Sequence, residues 1–146
     1  MFRTGRSPAL LFIRLALGAV MFTHGAQKVL GWYGGPGFQK TMEIFSGMGY
    51  APWMTILLMF IEFLGSLGLV FGLLTRLSAL GITITISVCA YTNHLQNGFF
   101  MNWFGNQAGE GVEYHVLVIG MTLALMASGG GLLSVDRAIY TGEKKG

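Results

Sequence analysis

Residues 53–74 read WMTILLMFIEFLGSLGLVFGLL, an apolar run interrupted by one ionisable residue, Glu62. A helix rises 1.5 Å per residue, so about 20 apolar residues cross a hydrocarbon core of roughly 30 Å. The run is long enough to span a bilayer. A carboxylate inside such a span costs about 2.5 to 3.5 kcal/mol on insertion scales, and a chain that keeps one puts it to use. What Glu62 faces is therefore the question that organises the rest of the sequence.

Composition agrees with a membrane protein. Of 146 residues, 53% are hydrophobic and 10% charged, with a mean hydropathy of +0.60, whereas soluble domains carry roughly 25% charged residues. The net charge of +3 and the scattered basic residues do not form a nucleic-acid footprint. The lone cysteine, Cys89, excludes an internal disulfide and a CxxC redox pair. The length leaves room for a single integral membrane domain over residues 1–146.

Three further apolar stretches flank the first. Residues 9–31, ALLFIRLALGAVMFTHGAQKVLG, come after Pro8 and hold Arg14, His24 and Lys28; Arg14 interrupts the apolar region, which favours an uncleaved span over a signal peptide. A third span opens at Leu77, just after Thr75 and Arg76, which forces a tight hairpin. A fourth starts near Val112 and closes at the Gly129–Gly131 triplet and Ser134-Val-Asp136, before a short basic tail. The spans expected are about 8–30, 53–74, 77–97 and 112–134. Between the first two, Phe38, Met42 and Phe45 share one helical face with Lys40 and Glu43 off it, the pattern of an amphipathic helix on the membrane surface. Residues 96–111, QNGFFMNWFGNQAGEG, form an aromatic loop suited to an interfacial belt. The fold expected is all-α: an antiparallel four-helix transmembrane bundle with a short surface helix between helices one and two.

Lys and Arg counts set the orientation. Arg3, Arg6, Arg76, Arg137, Lys144 and Lys145 fall on the face of both termini, against Lys28 and Lys40 on the other, so the termini are expected in the cytoplasm. His24, Lys28, Glu62, His94 and Glu113 then share the outer half of the bundle, with Glu62 roughly 13 Å down as its floor. Lipid cannot solvate such groups, so they turn inward, pair, or line a wet cavity. Thr83, Ser87, Tyr91 and His94 share a face of span three, and Cys89 lies off it; His115, roughly 200° from Glu113, falls outside the pocket that Glu113 joins. Arg14 either rises to pair with Glu62 or descends to Asp136, leaving Glu62 unpaired. No HxxH, HxxxH or ExxH spacing points to a metal, and neither glycine-rich segment comes after a strand as a nucleotide site requires.

The residues also carry a family likeness. RLALGAVMFTHGAQKVLG (14–31), FQKTMEIFSGMGYAPW (38–53), EFLGSLGLVFGLLTRLSAL (62–80), HLQNGFF (94–100) and EYHVLVIGMTLALMASGGGLLSVD (113–136) together resemble the DoxX family of small four-helix bacterial membrane proteins. The family takes its name from a subunit of a quinone-linked thiosulfate oxidoreductase, and most members carry oxidoreductase names without a defined substrate. The resemblance therefore implies a multi-pass inner-membrane protein, quinone-linked, either an oxidoreductase or a subunit of a redox complex with partner proteins. It makes Arg14, His24, Lys28, Glu62, His94, Glu113 and Asp136 the positions to watch. On this reading Glu62, His24 and His94 carry the proton chemistry, while Arg14, Lys28, Tyr91 and Glu113 help to hold a non-covalent quinone; haem, flavin and metal motifs are absent from the sequence. A non-catalytic anchor for redox or stress-response enzymes is the alternative, and a small proton-coupled carrier, lacking the usual internal repeat, the third.

Overall fold

The computed structural model describes residues 7–143. Arg3, Arg6, Lys144 and Lys145, which enter the expected orientation, lie outside them. The described residues form α-helices at Pro8–Val29 (α1), Gly37–Gly47 (α2), Pro52–Phe71 (α3), Thr75–Cys89 (α4), Glu113–Ser128 (α5) and Val135–Glu143 (α6), with no strand among them. The all-helical reading of the sequence holds.

Helix starts and stops obey local chemistry. Pro8 and Pro52 occupy the first turns of α1 and α3, where a missing N–H costs nothing and the fixed φ suits a helix. Gly72 ends α3 in the left-handed region (φ 67°), with Gly72 N–H on the Leu69 carbonyl at 3.2 Å and Leu73 N–H on the Gly68 carbonyl at 2.8 Å. This Schellman turn reverses the chain into α4 within three residues.

Only α1 and α3 are both long and apolar enough to cross a membrane among the described residues. Just 39% and 33% of their most apolar stretches are buried in the protein. Phe12, Leu15 and Val20 on α1 and Trp53, Leu57, Phe60, Leu64 and Phe71 on α3 stand exposed. A soluble core helix would bury such side chains.

Packing brings the long helices together: α1 lies chiefly on α3, α3 on α4, and α4 on α5. At Gly25 the α1 and α3 backbones approach so closely that a Cβ would sit 2.7 Å from the Phe63 Cα, the small-residue contact by which apolar helices gain dispersion energy without a hydrophobic drive. Leu17, Met21, Leu69, Ala79, Ile82, Ile86, Val118 and Leu125 fill the core.

Two expectations need correction. The third span stops being α-helical at Cys89 and continues as a π turn (Ala90–His94) and a 3-10 turn (Leu95–Asn97). The fourth ends at Ser128, short of residue 134, because Gly129 and Gly131 take positive φ; beyond them the chain forms the separate α6 rather than a simple tail. The helix expected between the first two spans is present as α2; its buried residue is Thr41, whose hydroxyl donates to the Gly37 carbonyl at 2.7 Å, and Phe38 on its apolar face is exposed.

Arg14 turns away from Glu62. Its guanidinium is 1% exposed and places all five N–H donors on backbone carbonyls: Nε on Gly130 (3.1 Å), Nη1 on Leu69 and Val70 (3.0 and 2.6 Å), Nη2 on Leu132 and Leu133 (3.2 and 3.0 Å). The Leu69 and Val70 carbonyls belong to the last turn of α3, which lacks intrahelical donors and carries partial negative charge. Asp136 shares the corner and does the complementary task. Its carboxylate accepts from Leu74 N–H at 2.7 Å and Thr75 N–H at 2.8 Å, capping the start of α4. Arg14 thus descends, as one of the two alternatives had it, but onto carbonyls.

Candidate functional site

At the other end of the molecule, where α1 and α4 finish and α5 begins, a cavity of about 350 Å³ is lined by His24 and Lys28 (α1), Glu62 (α3), Ile86 and Cys89 (α4), His94, Met101, Glu110, and Tyr114 and His115 (α5). A smaller recess of about 50 Å³ adjoins it, sharing Lys28, Glu62, Ile86 and Cys89 and adding Tyr50, Thr85 and Asn93. A groove of about 430 Å³ between α3 and α4 is larger, but its walls run from Phe60 to Gly81 without a titratable side chain. The titratable side chains gather around the first cavity and the recess beside it.

Lys28 closes the question about Glu62. Its Nζ lies 2.7 Å from Glu62 Oε2, with the lysine side chain 27% exposed and the carboxylate 6%. The last turn of α1 is a favourable place for a cation, since the helix end is partially negative. The pair is electrically neutral as a unit, so it can sit on the cavity wall without an uncompensated charge.

Facing it, the His94 and His115 rings lie 4.3 Å apart between centroids. His94 Nδ1 lies 2.9 Å from the Glu110 carbonyl, which fixes that nitrogen as the donor and leaves Nε2 with its lone pair. His115 is 5% exposed, and its Nδ1 makes no hydrogen bond. Tyr114 stacks edge-on to His115 at 5.5 Å and lies 6.1 Å from the His24 ring. The loop over the cavity is pinned: the Glu113 carboxylate accepts from Met101 N–H at 3.1 Å and that of Glu110 from Asn102 N–H at 2.6 Å.

His24, Lys28, Glu62 and His94 are therefore gathered in one cavity, as expected from the sequence. Arg14 sits in the opposite corner. Glu113 turns to the loop, and its backbone N–H bonds the Phe99 carbonyl at 2.8 Å. Tyr91 is 75% exposed and lines neither recess. Cys89 and His115, set aside in the sequence, are both in the wall. Cys89 continues the buried stripe Ala79, Ile82 and Ile86 of α4 at the same three-and-four spacing, and the π turn that follows brings His94 round to the same wall. For His115, the buried stripe of α5 is His115, Val118, Thr122 and Leu125, a three-and-four spacing that was visible in the sequence.

An all-helical fold with lipid-suited apolar surfaces and a polar cavity at one end defines a small helical protein of membrane character. The DoxX family model matches residues 9–95, and the chain belongs to that family. It is similar to "Putative oxidoreductase CatD" of Bacillus subtilis, 26% identical over 93% of this chain and 90% of that protein. It also resembles an uncharacterized protein of Haemophilus influenzae, 38% identical over 49% of this chain and 43% of the other. No solved structure matches.

Proposed function

We propose that this DoxX-family protein is a multi-pass membrane oxidoreductase, or the membrane subunit of one, that holds a quinone in the cavity between α1, α3 and α5. The single observation that carries the reading is the union of a 350 Å³ cavity with hydrogen-bonding groups set in apolar walls, the usual make-up of a small-molecule site. On this reading α1, α3, α4 and α5 form an antiparallel four-helix transmembrane bundle. In the sequence six Lys and Arg residues (Arg3, Arg6, Arg76, Arg137, Lys144 and Lys145) fall with the termini and the α3–α4 turn, against Lys28 and Lys40 at the cavity end; on that asymmetry the cavity opens to the outer face and the termini are cytoplasmic.

A bound quinone would supply the two-electron, two-proton acceptor chemistry that side chains lack. Lys28 and His24 would each hydrogen-bond a ring oxygen, and Tyr114 would flank the ring. Glu62, held against Lys28 Nζ, is the group able to give or take a proton at the cavity floor. His94, expected to share this task, is engaged by Glu110 and packed on His115. The resemblance to a subunit and to a named oxidoreductase supports a redox role, with electrons delivered by a reductant or partner protein.

The test is quinone binding to purified protein in nanodiscs, read by intrinsic fluorescence. Losing one ring-oxygen hydrogen bond, of about 1 to 1.5 kcal/mol, weakens binding roughly tenfold; Lys28→Gln and His24→Ala should each do so, and Tyr91→Ala should not. Wild-type protein that binds no quinone, yet captures the same partner proteins as Glu62→Gln, would replace this reading with that of an anchor.

A further inference from the structure

Cys89, His94 and His115 each present a donor atom, and the three atoms lie within 4.8 Å of one another on the α4/α5 side of the cavity. Thiolate and imidazole are ligands of soft and borderline metal ions. We propose that these three side chains form a copper site, with Met101, which lines the same cavity, available as a weak fourth donor.

Four features point to a ligand. His115 Nδ1 is buried without a hydrogen-bond partner, an arrangement that costs free energy unless something occupies it. Metal-bound histidines commonly donate their second N–H to a backbone carbonyl; His94 is so held by Glu110 at 2.9 Å. The lysine of the same cavity, Lys28, is neutralised by Glu62 at 2.7 Å and so does not repel a metal ion. Finally, the donors sit on or against a π turn, a helix interruption found mostly at functional sites.

Geometry decides among metals. Bonds of about 2.1 Å in a trigonal plane put donors roughly 3.6 Å apart. The present separations, up to 4.8 Å, need a contraction of about 1 Å. Cys89 and His94 are both half-buried and can rotate to supply it. Structural zinc wants four strong ligands in a tetrahedron, and the donors grouped within reach of one another here number three. Two histidines and one cysteine, with a methionine lining the same cavity, suit copper, which also leads the divalent series in affinity.

The inference uses side chains other than those assigned to the quinone and is tested without one. Copper is titrated anaerobically as Cu(I), against a chromophoric competitor, into detergent-purified full-length protein; Cu(II) is added separately to read the thiolate-to-copper absorption. One ion per chain is expected. Cys89→Ser, His94→Gln and His115→Gln should each weaken binding at least about 100-fold, beyond what the loss of a supporting contact does, and Cys89→Ser should abolish the visible band. Circular dichroism and elution volume identify any variant that has not folded, and Cys89→Ser, a near-isosteric change at a half-buried position, keeps the test available in that event. Affinity unchanged in the folded variants overturns the site, and zinc held in preference to copper with the same dependence on the three side chains overturns the choice of metal.

Discussion

Replacing Lys28 by methionine should be far more damaging than replacing Glu62 by glutamine, and the difference comes from burial. The two charges lie 2.7 Å apart, but the carboxylate is 6% exposed and the lysine 27%. Removing Lys28 strands a buried carboxylate, which costs about 3 to 5 kcal/mol when a partner is lost. Removing the charge of Glu62 leaves a lysine whose flexible stem can carry its ammonium toward the open side of the cavity, at a cost of about 1 kcal/mol. The asymmetry expected is thus about 2 kcal/mol or more. Adding Glu62→Gln to Lys28→Met removes the stranded charge, so the double variant should be more stable than Lys28→Met alone. Unfolding in mixed micelles, monitored by circular dichroism, measures all three. Equal losses in the two single variants, or a double variant that loses their sum, would refute the assignment of a buried, coupled pair.

Other positions have equally definite expected outcomes. Arg14→Met leaves five carbonyls without their donor and should destabilise the protein by at least about 3 kcal/mol; Arg14→Lys, with fewer donors and no planar fork, should recover only part of it in the same micelle assay. Asp136→Asn removes the negative charge at the start of α4 and should cost about 1 to 2 kcal/mol in thermal unfolding. Gly25→Ala places a Cβ 2.7 Å from the Phe63 Cα and should force α1 from α3, at about 1 to 3 kcal/mol, read as lost cross-linking between cysteines introduced on the two helices. Tyr91→Ala, at an exposed position, should alter neither copper stoichiometry nor stability beyond about 0.5 kcal/mol.

The helical class was legible because apolar length and proline punctuation are local signals: Pro8 stands at the start of the first span in the sequence as it does in space. The meeting of His24, Lys28, Glu62 and His94 was legible too, since the depth of each along its span is simple arithmetic. Rotation about the helix axis was harder. Glu113 and His115 exchanged places because the first turn of α5 answers to the loop, where Met101 N–H needs the Glu113 carboxylate. Cys89 and Tyr91 exchanged places because the buried stripe of α4 runs through Ala79, Ile82 and Ile86 to Cys89, and His94 rejoins it only through a π turn that no residue from Ala90 to His94 announces. Arg14 was the hardest of all: its partners are main-chain oxygens, and carbonyls carry no letter in a sequence.

That choice of partners bears on how the chain is made. Three of the five carbonyls around Arg14 belong to Gly130, Leu132 and Leu133, and these emerge from the ribosome more than a hundred residues after the arginine itself. Until they arrive, the first helix carries an incompletely solvated guanidinium in surroundings where each missing contact is costly. The corner is a late-closing clasp, and on the proposed topology a nascent chain stalled near Ser128 would hold a first helix whose arginine still lacks three of its five partners.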